Sequence, residues 1–310
     1  MYNKHHRLIP DDKTPLTTLL LLFACVAAGF FVAAFFGSLA ILPFISSLED
    51  VATMMSDPQP ENWWAIMLQQ FITAVTLFII TPYVYVKFVL QSQSRYLFTP
   101  SQGLLLKGIG ITALMTICFM GFNSILVEWN SQMVLPGFME SIEQWMQRKE
   151  DQLARLTEFI TDFSTTDKYL FTMLVIGIIP AIGEEYLFRG VLQTQFEKFM
   201  KNPHLAILLA SVLFSAFHFQ FYGFLPRLAL GMLFGYLFYY SGNLIYPMIA
   251  HFLNNGLTVT AFYFNKVGII DYDIENAETP AIWTVLIFLT IGIMLMFVFK
   301  GAFSKIKMKE

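Results

Sequence analysis

Charge is scarce in this chain of 310 residues. Asp, Glu, Lys and Arg together make up 13% of it, against about 25% in a soluble globular domain. So few charges cannot clothe a water-facing surface of this size. Cysteine is nearly missing as well. Cys25 and Cys118 both lie in apolar runs, which argues against a disulfide framework, and no paired-cysteine spacing suits zinc. A net charge of −3 gives no general attraction to nucleic acid. The chain has no internal repeat, no low-complexity tract and no linker-like stretch, so it reads as one domain. What remains is oil: 56% hydrophobic residues, 33 of them Phe, and a mean hydropathy of +0.59. Lipid is the expected solvent.

The apolar runs predict an all-α, polytopic membrane helix bundle of about eight spans. They fall near 16–45, 65–86, 104–127, 169–192, 205–222, 226–240, 244–264 and 281–299. The first run is about 30 residues long, too long for the roughly 7–15-residue apolar core of a cleavable signal. It is therefore expected to be a retained helix, although Ser38-Leu39-Ala40 loosely resembles a cleavage site. Residues 137–163 differ. Phe138, Ile142, Trp145, Met146, Leu153, Leu156, Phe159 and Ile160 recur at helical spacing among Glu143, Arg148, Lys149, Asp151 and Arg155. That pattern predicts an amphipathic helix lying on the membrane or capping the bundle. Trp63, Trp64, Trp145 and Trp283 are expected to be interfacial anchors.

Eight spans place both termini on one side. With the termini in the cytoplasm, that side holds thirteen of the nineteen basic residues, including Lys4, Arg7, Lys87, Arg95, Lys300, Lys305, Lys307 and Lys309. The excess of Lys and Arg satisfies the positive-inside rule. Sixteen of the acidic residues fall on the opposite side, among them Glu49, Asp50, Asp57 and Glu61. The expected organisation is then a cytoplasmic tail at 1–15, three spans at 16–136, an extracytoplasmic amphipathic helix at 137–166, a core at 167–265, and an acidic loop, last span and basic tail at 266–310. A bacterial plasma membrane is the expected location. Nothing in the sequence sets an oligomeric state.

The informative stretch is Gly183-Glu184-Glu185-Tyr186-Leu187-Phe188-Arg189-Gly190, which ends an apolar run from Tyr169 to Ile182. A mid-bilayer charge costs roughly 2.5–3.5 kcal/mol even on lenient insertion scales, so three charges in six residues need a reason. Glu185 and Arg189 are four apart and share a helix face, which suits an ion pair. Glu184 points about 100° away and has no such partner. An unpartnered carboxyl in apolar surroundings suits proton transfer. Pro180, four residues before Glu184, removes a helix hydrogen bond and predicts a kink.

Other polar groups interrupt later spans. His218 lies in Phe214-Ser215-Ala216-Phe217-His218, and His251 and Asn255 sit four apart in His251-Phe252-Leu253-Asn254-Asn255. Intramembrane ionisable residues mark functional sites by default. These groups suit water-mediated amide cleavage. Glu184 takes a proton from water and returns it to the leaving nitrogen, His218 holds the water, and His251 and Asn255 donate to the oxyanion. No Ser or Cys nucleophile stands in a comparable arrangement. Asn254 reads as a bystander, His204 as an interfacial loop residue, and His5 and His6 as solvated. Two imidazoles and a carboxylate could also hold zinc, but no HExxH motif is present. A transporter site or a non-catalytic scaffold or immunity protein is the contrasting reading.

Glu184-Glu185-x-x-x-Arg189, Phe214-x-x-x-His218 and His251-x-x-x-Asn255 occur in that order on the fourth, fifth and seventh runs. In this the chain resembles the type II CAAX prenyl endopeptidases, also called the ABI or CPBP family of intramembrane glutamic proteases, over about residues 168–260. The resemblance implies that Glu184 and His218 activate water, that His251 and Asn255 form the oxyanion site, and that Glu185 and Arg189 support them. It implies no cofactor. It implies a membrane-associated protein or lipidated peptide as substrate, cut in protein processing or bacteriocin self-immunity.

Overall fold

The computed structural model describes residues 13–45, 47, 54, 58–93, 97–98, 105–163, 165–271 and 280–307. Among them every regular element is helical: α1 (Pro15–Ile41), α2 (Pro60–Val89), α3 (Leu105–Ser131), α4 (Glu140–Thr161), α5 (Thr166–Met200), α6 (Pro203–Ala216), α7 (Phe224–Ser241), α8 (Ile245–Lys266) and α9 (Ile282–Lys307). Residues 1–12 with His5 and His6, the acidic residues Glu49, Asp50 and Asp57, the acidic loop 272–279 and the side chains of Lys305, Lys307 and Lys309 lie outside the described residues.

Five helices, α1, α2, α3, α5 and α9, are long and apolar enough to cross a membrane. α6 is apolar but has only 14 residues. α7 and α8 have the length, but Arg227, His251, Asn254 and Asn255 lower their apolar character. The chain is an integral membrane protein of the all-α class. Its outer faces are apolar: Phe30, Phe31, Phe35 and Phe36 on α1 and Leu286, Ile287, Phe297 and Val298 on α9 are all exposed. In water such a surface would be unstable, whereas hydrocarbon solvates it at no cost.

The helix at the centre is α5. Of its most apolar stretch 56% is buried, against 11% for α9. α2 approaches it closely at Gly183, where a Cβ would stand 2.7 Å from Cβ of Phe78. Small residues permit such contacts between membrane helices. The main core gathers residues of α1, α2, α3, α5, α6, α7, α8 and α9 around Phe188, Phe214, Phe234 and Tyr246. A smaller cluster joins the start of α2 to Ile160 of α4 and Val175 of α5.

α4 caps the bundle rather than lying free of it. Met146 and Ile160 are buried, Trp145 packs against Phe221 with ring centroids 5.1 Å apart, and Phe138 and Ile142 stay exposed. Trp63 departs from expectation. It is buried at 1% exposure, its Nε1 donates to the Ile160 carbonyl at 3.4 Å, and Lys168 Nζ lies 5.1 Å from its ring centroid. The indole found its polar partner inside the protein, so it does not need the membrane interface. Trp64 and Trp283 remain exposed.

Candidate active site

Around Pro180, α5 departs from regular winding. Wider, π-type turns at Met173–Ile178 and Tyr186–Gln193 flank the α-helical piece Ile179–Glu185. Pro180 has no N–H to return to Ile176, four residues earlier. The Ile176 carbonyl accepts instead from Asn255 Nδ2 at 3.0 Å. An amide on α8 therefore satisfies the group that the proline leaves open. A freed backbone group deep in a membrane protein needs such a partner.

Glu185 and Arg189 behave as the spacing predicts. Arg189 Nη1 donates to Glu185 Oε1 at 2.7 Å, with both side chains almost wholly enclosed. Arg189 Nη2 donates to the Gly231 carbonyl of α7 at 3.1 Å. The guanidinium also lies 4.4 Å from the Phe214 ring centroid and 5.2 Å from that of Phe234. These aromatic faces supply further attraction for the buried cation.

His251 joins both carboxylates. Its Nδ1 donates to Glu185 Oε1 at 2.8 Å, and its Nε2 stands 4.0 Å from Glu184 Oε2. Its ring stacks on Phe234 at 5.1 Å and 19°. The Glu185 bond holds the proton on Nδ1, so Nε2 is the nitrogen presented to Glu184. Glu184 Oε2 is buried and has no hydrogen-bond partner among the described residues.

His218 is not inside a span. α6 ends at Ala216, and His218 follows in a turn with Phe219 at φ 52°. At 14 residues α6 is roughly 21 Å long, short of a hydrocarbon core of about 30 Å. A short helix brings its C-terminal turn inside the thickness that the longer helices set. His218 Nδ1 donates to the Phe214 carbonyl at 2.8 Å, which leaves Nε2 as the open nitrogen. Its ring packs on Phe214 at 5.1 Å, and His251 packs on the same ring at 5.9 Å. Asn130 of α3 clamps the following loop: its Nδ2 donates to the Phe221 carbonyl at 3.1 Å and its Oδ1 accepts from Leu225 N at 2.7 Å.

The structure thus gathers Glu184, Glu185, Arg189 and His251, with His218 sharing Phe214 and Asn255 tied to the proline turn. Asn254 Nδ2 donates to Asn255 Oδ1 at 3.1 Å, a neighbour rather than a bystander. His204 sits in the first turn of α6, exposed, with Nδ1 3.0 Å from the Tyr236 hydroxyl. Arg227 was not among the residues that the sequence singled out. It occupies the first turn of α7, on the face that also carries Gly231 and Phe234, which meet Arg189 and His251, and its electrostatic neighbours are Glu150 and then Glu184. The rule that marks ionisable residues in apolar runs would have found it in Phe224-Leu225-Pro226-Arg227-Leu228-Ala229-Leu230. Among the described residues, no group of three or more His, Cys, Asp or Glu side chains is placed to hold a metal.

This is a membrane-embedded site of carboxylates, imidazoles and a paired arginine on two helices and one turn. Residues 166–257 match the model of the Rce1-like family, described as Type II CAAX prenyl endopeptidase Rce1-like, the same part of the chain that carries the three motifs. The curated protein YpbD of Bacillus subtilis (strain 168), itself uncharacterized, is 32% identical over 111 residues, which cover 34% of this chain and 53% of that protein. No solved structure matches significantly.

Proposed function

We propose that the protein is an intramembrane endopeptidase that hydrolyses a peptide bond with water activated by Glu184. The observation that carries this reading is the buried Glu184 Oε2, without a hydrogen-bond partner among the described residues and facing His251 Nε2, within the segment matched to a protease family. Glu184 takes a proton from water as its oxygen attacks the carbonyl carbon, and the carbonyl oxygen takes the negative charge. When the C–N bond breaks, the leaving nitrogen takes that proton from Glu184. His218 holds the water through its open Nε2. His251 faces the reacting atoms with Nε2, and its Nδ1 bond to Glu185 keeps the ring in place. Asn255 contributes to the oxyanion when its amide leaves Ile176, and in the resting structure it braces the Pro180 turn. Glu185 and Arg189 hold the imidazole and the two helices together.

The substrate is a membrane-associated protein or lipidated peptide, as the family's description suggests. Substrate trapping tests this reading. A Glu184→Gln variant in the membrane should retain a protein that wild type releases as two fragments. Retention of the same protein, uncut, by both forms would overturn it. The reading needs no metal ion. Hydrolysis of a prenylated peptide with a CAAX tail should survive 1,10-phenanthroline, and zinc should not raise it. Loss on chelation with recovery by zinc would replace this mechanism with a Lewis-acid one.

Both termini face the cytoplasm of a bacterial plasma membrane in this proposal, with α4 on the opposite face. The distribution of Lys and Arg supports it. Single cysteines at Asn3 and at Gln147, in a chain lacking Cys25 and Cys118, should give opposite labelling by an impermeant maleimide in intact cells. Labelling of position 3 and not of 147 would refute the assignment.

A further inference from the structure

We infer that Arg227 is a catalytic residue that receives the oxyanion of the cleaved peptide bond, a role that rests on the hydrolase reading. The donors near Glu184 are mostly committed. His251 Nδ1 serves Glu185, Arg189 serves Glu185 and the Gly231 carbonyl, and Asn255 Nδ2 serves Ile176. Arg227 is different. Its Nη2 donates to Gln220 Oε1, which orients the guanidinium, but its Nη1 is buried with no hydrogen-bond partner among the described residues. Arg189 is neutralised by Glu185 at 2.7 Å. Arg227 has Glu150 and then Glu184 as electrostatic neighbours and a hydrogen bond to neither among the described residues, and it shares one face of α7 with Gly231 and Phe234, which meet Arg189 and His251 of the site.

Among the described residues the donor Arg227 Nη1 and the acceptors Glu184 Oε2 and Glu150 Oε2 are all buried without a hydrogen-bond partner, and of the two carboxylates only Glu184 belongs to the site. A buried guanidinium N–H left open is costly, and it is worth most where negative charge develops in a site closed to water. Attack of water on the amide does two things at once. It moves a proton onto Glu184 and places a negative charge on the carbonyl oxygen. Arg227 supplies the matching N–H for that oxygen from a fixed position, because the first turn of α7 and the loop before it are clamped by Asn130 and by Ser215 Oγ, which donates to the Phe224 carbonyl at 2.7 Å. When the C–N bond breaks, the oxygen returns to a carbonyl within a new carboxyl group and the contact weakens.

The test uses the full chain in lipid nanodiscs and a fluorogenic prenylated peptide with a CAAX tail. Arg227→Met should lower kcat by about 10²–10³-fold, the usual effect of removing one oxyanion donor, with KM changed less than about threefold. Millimolar methylguanidinium should restore part of the rate to Arg227→Ala and none to Glu184→Gln. A raised KM at unchanged kcat would overturn the inference and make Arg227 an anchor for the substrate's terminal carboxylate. Unchanged turnover would overturn it outright. Should Arg227→Met fail to fold, Arg227→Lys decides: it keeps the charge but not the planar fork, and full activity in it refutes the role. Loss of activity in Glu184→Gln with full kcat in the Arg227 variants would sink this inference alone. Wild-type rates in Glu184→Gln would sink the Glu184-activated mechanism beneath it.

Discussion

Glu184→Gln is expected to lower peptide hydrolysis by roughly 10²–10⁴-fold, the span of a positioned general base, while the helix bundle stays intact. The amide is nearly the same size and can occupy the same enclosed space, so packing is kept. What it cannot do is take a proton from water. Glu184 makes no hydrogen bond through Oε2 among the described residues, and its nearest ring nitrogen, His251 Nε2, is 4.0 Å away. No strong structural bond is therefore lost. Thermal unfolding in detergent should shift little, and product analysis by mass spectrometry should show the loss. A large drop in unfolding temperature with residual hydrolysis in proportion to folded protein would mean that the carboxyl is structural.

Arg189→Leu should do the reverse and strike stability first. Removing one partner of a buried ion pair costs about 3–5 kcal/mol because the other charge is left uncompensated. Here that partner is Glu185, fully enclosed and shared with His251. The same substitution removes the donor that ties α5 to the Gly231 carbonyl of α7. Unfolding of the purified protein should occur at much lower temperature or denaturant. Removing both charges, as Glu185→Leu with Arg189→Leu, should recover part of the loss, since paired burial often breaks even against apolar residues. Activity should not return with it, because His251 would lose the acceptor on Nδ1 that holds its ring. A single variant as stable as wild type would show that the pair carries no folding role.

The two variants separate two adjacent carboxyls that composition treats alike. A rotation of about 100° per residue on a helix puts Glu185 in the protein's ionic interior and Glu184 at the face where His251 Nε2 is presented. That distinction was legible from the i, i+4 spacing alone, and the structure bears out the Glu185–Arg189 bond. The helical class, the extents of the long apolar runs and the amphipathic character of α4 were legible too. Each depends on local periodicity, and hydrocarbon leaves the backbone little choice but to satisfy its own hydrogen bonds.

Other features were not local. The early end of α6, which takes His218 out of the helix and into a turn, is set by the loop that Asn130 and Ser215 hold. Trp63 is buried because α4 folds back to offer the Ile160 carbonyl. Arg227 was not singled out because periodicity cannot say which carboxylates a cation will meet. The tie from Asn255 to the carbonyl freed by Pro180 joins residues 79 positions apart. Read in order, the residues establish that the chain is a lipid-solvated helical bundle and which polar groups it can least afford to bury idly. Which of those groups meet, which nitrogen each imidazole turns outward and which cation remains unspent depended on helices distant in sequence coming into contact. Hydrogen bonding and charge act over a few ångströms of space, whatever the separation along the chain.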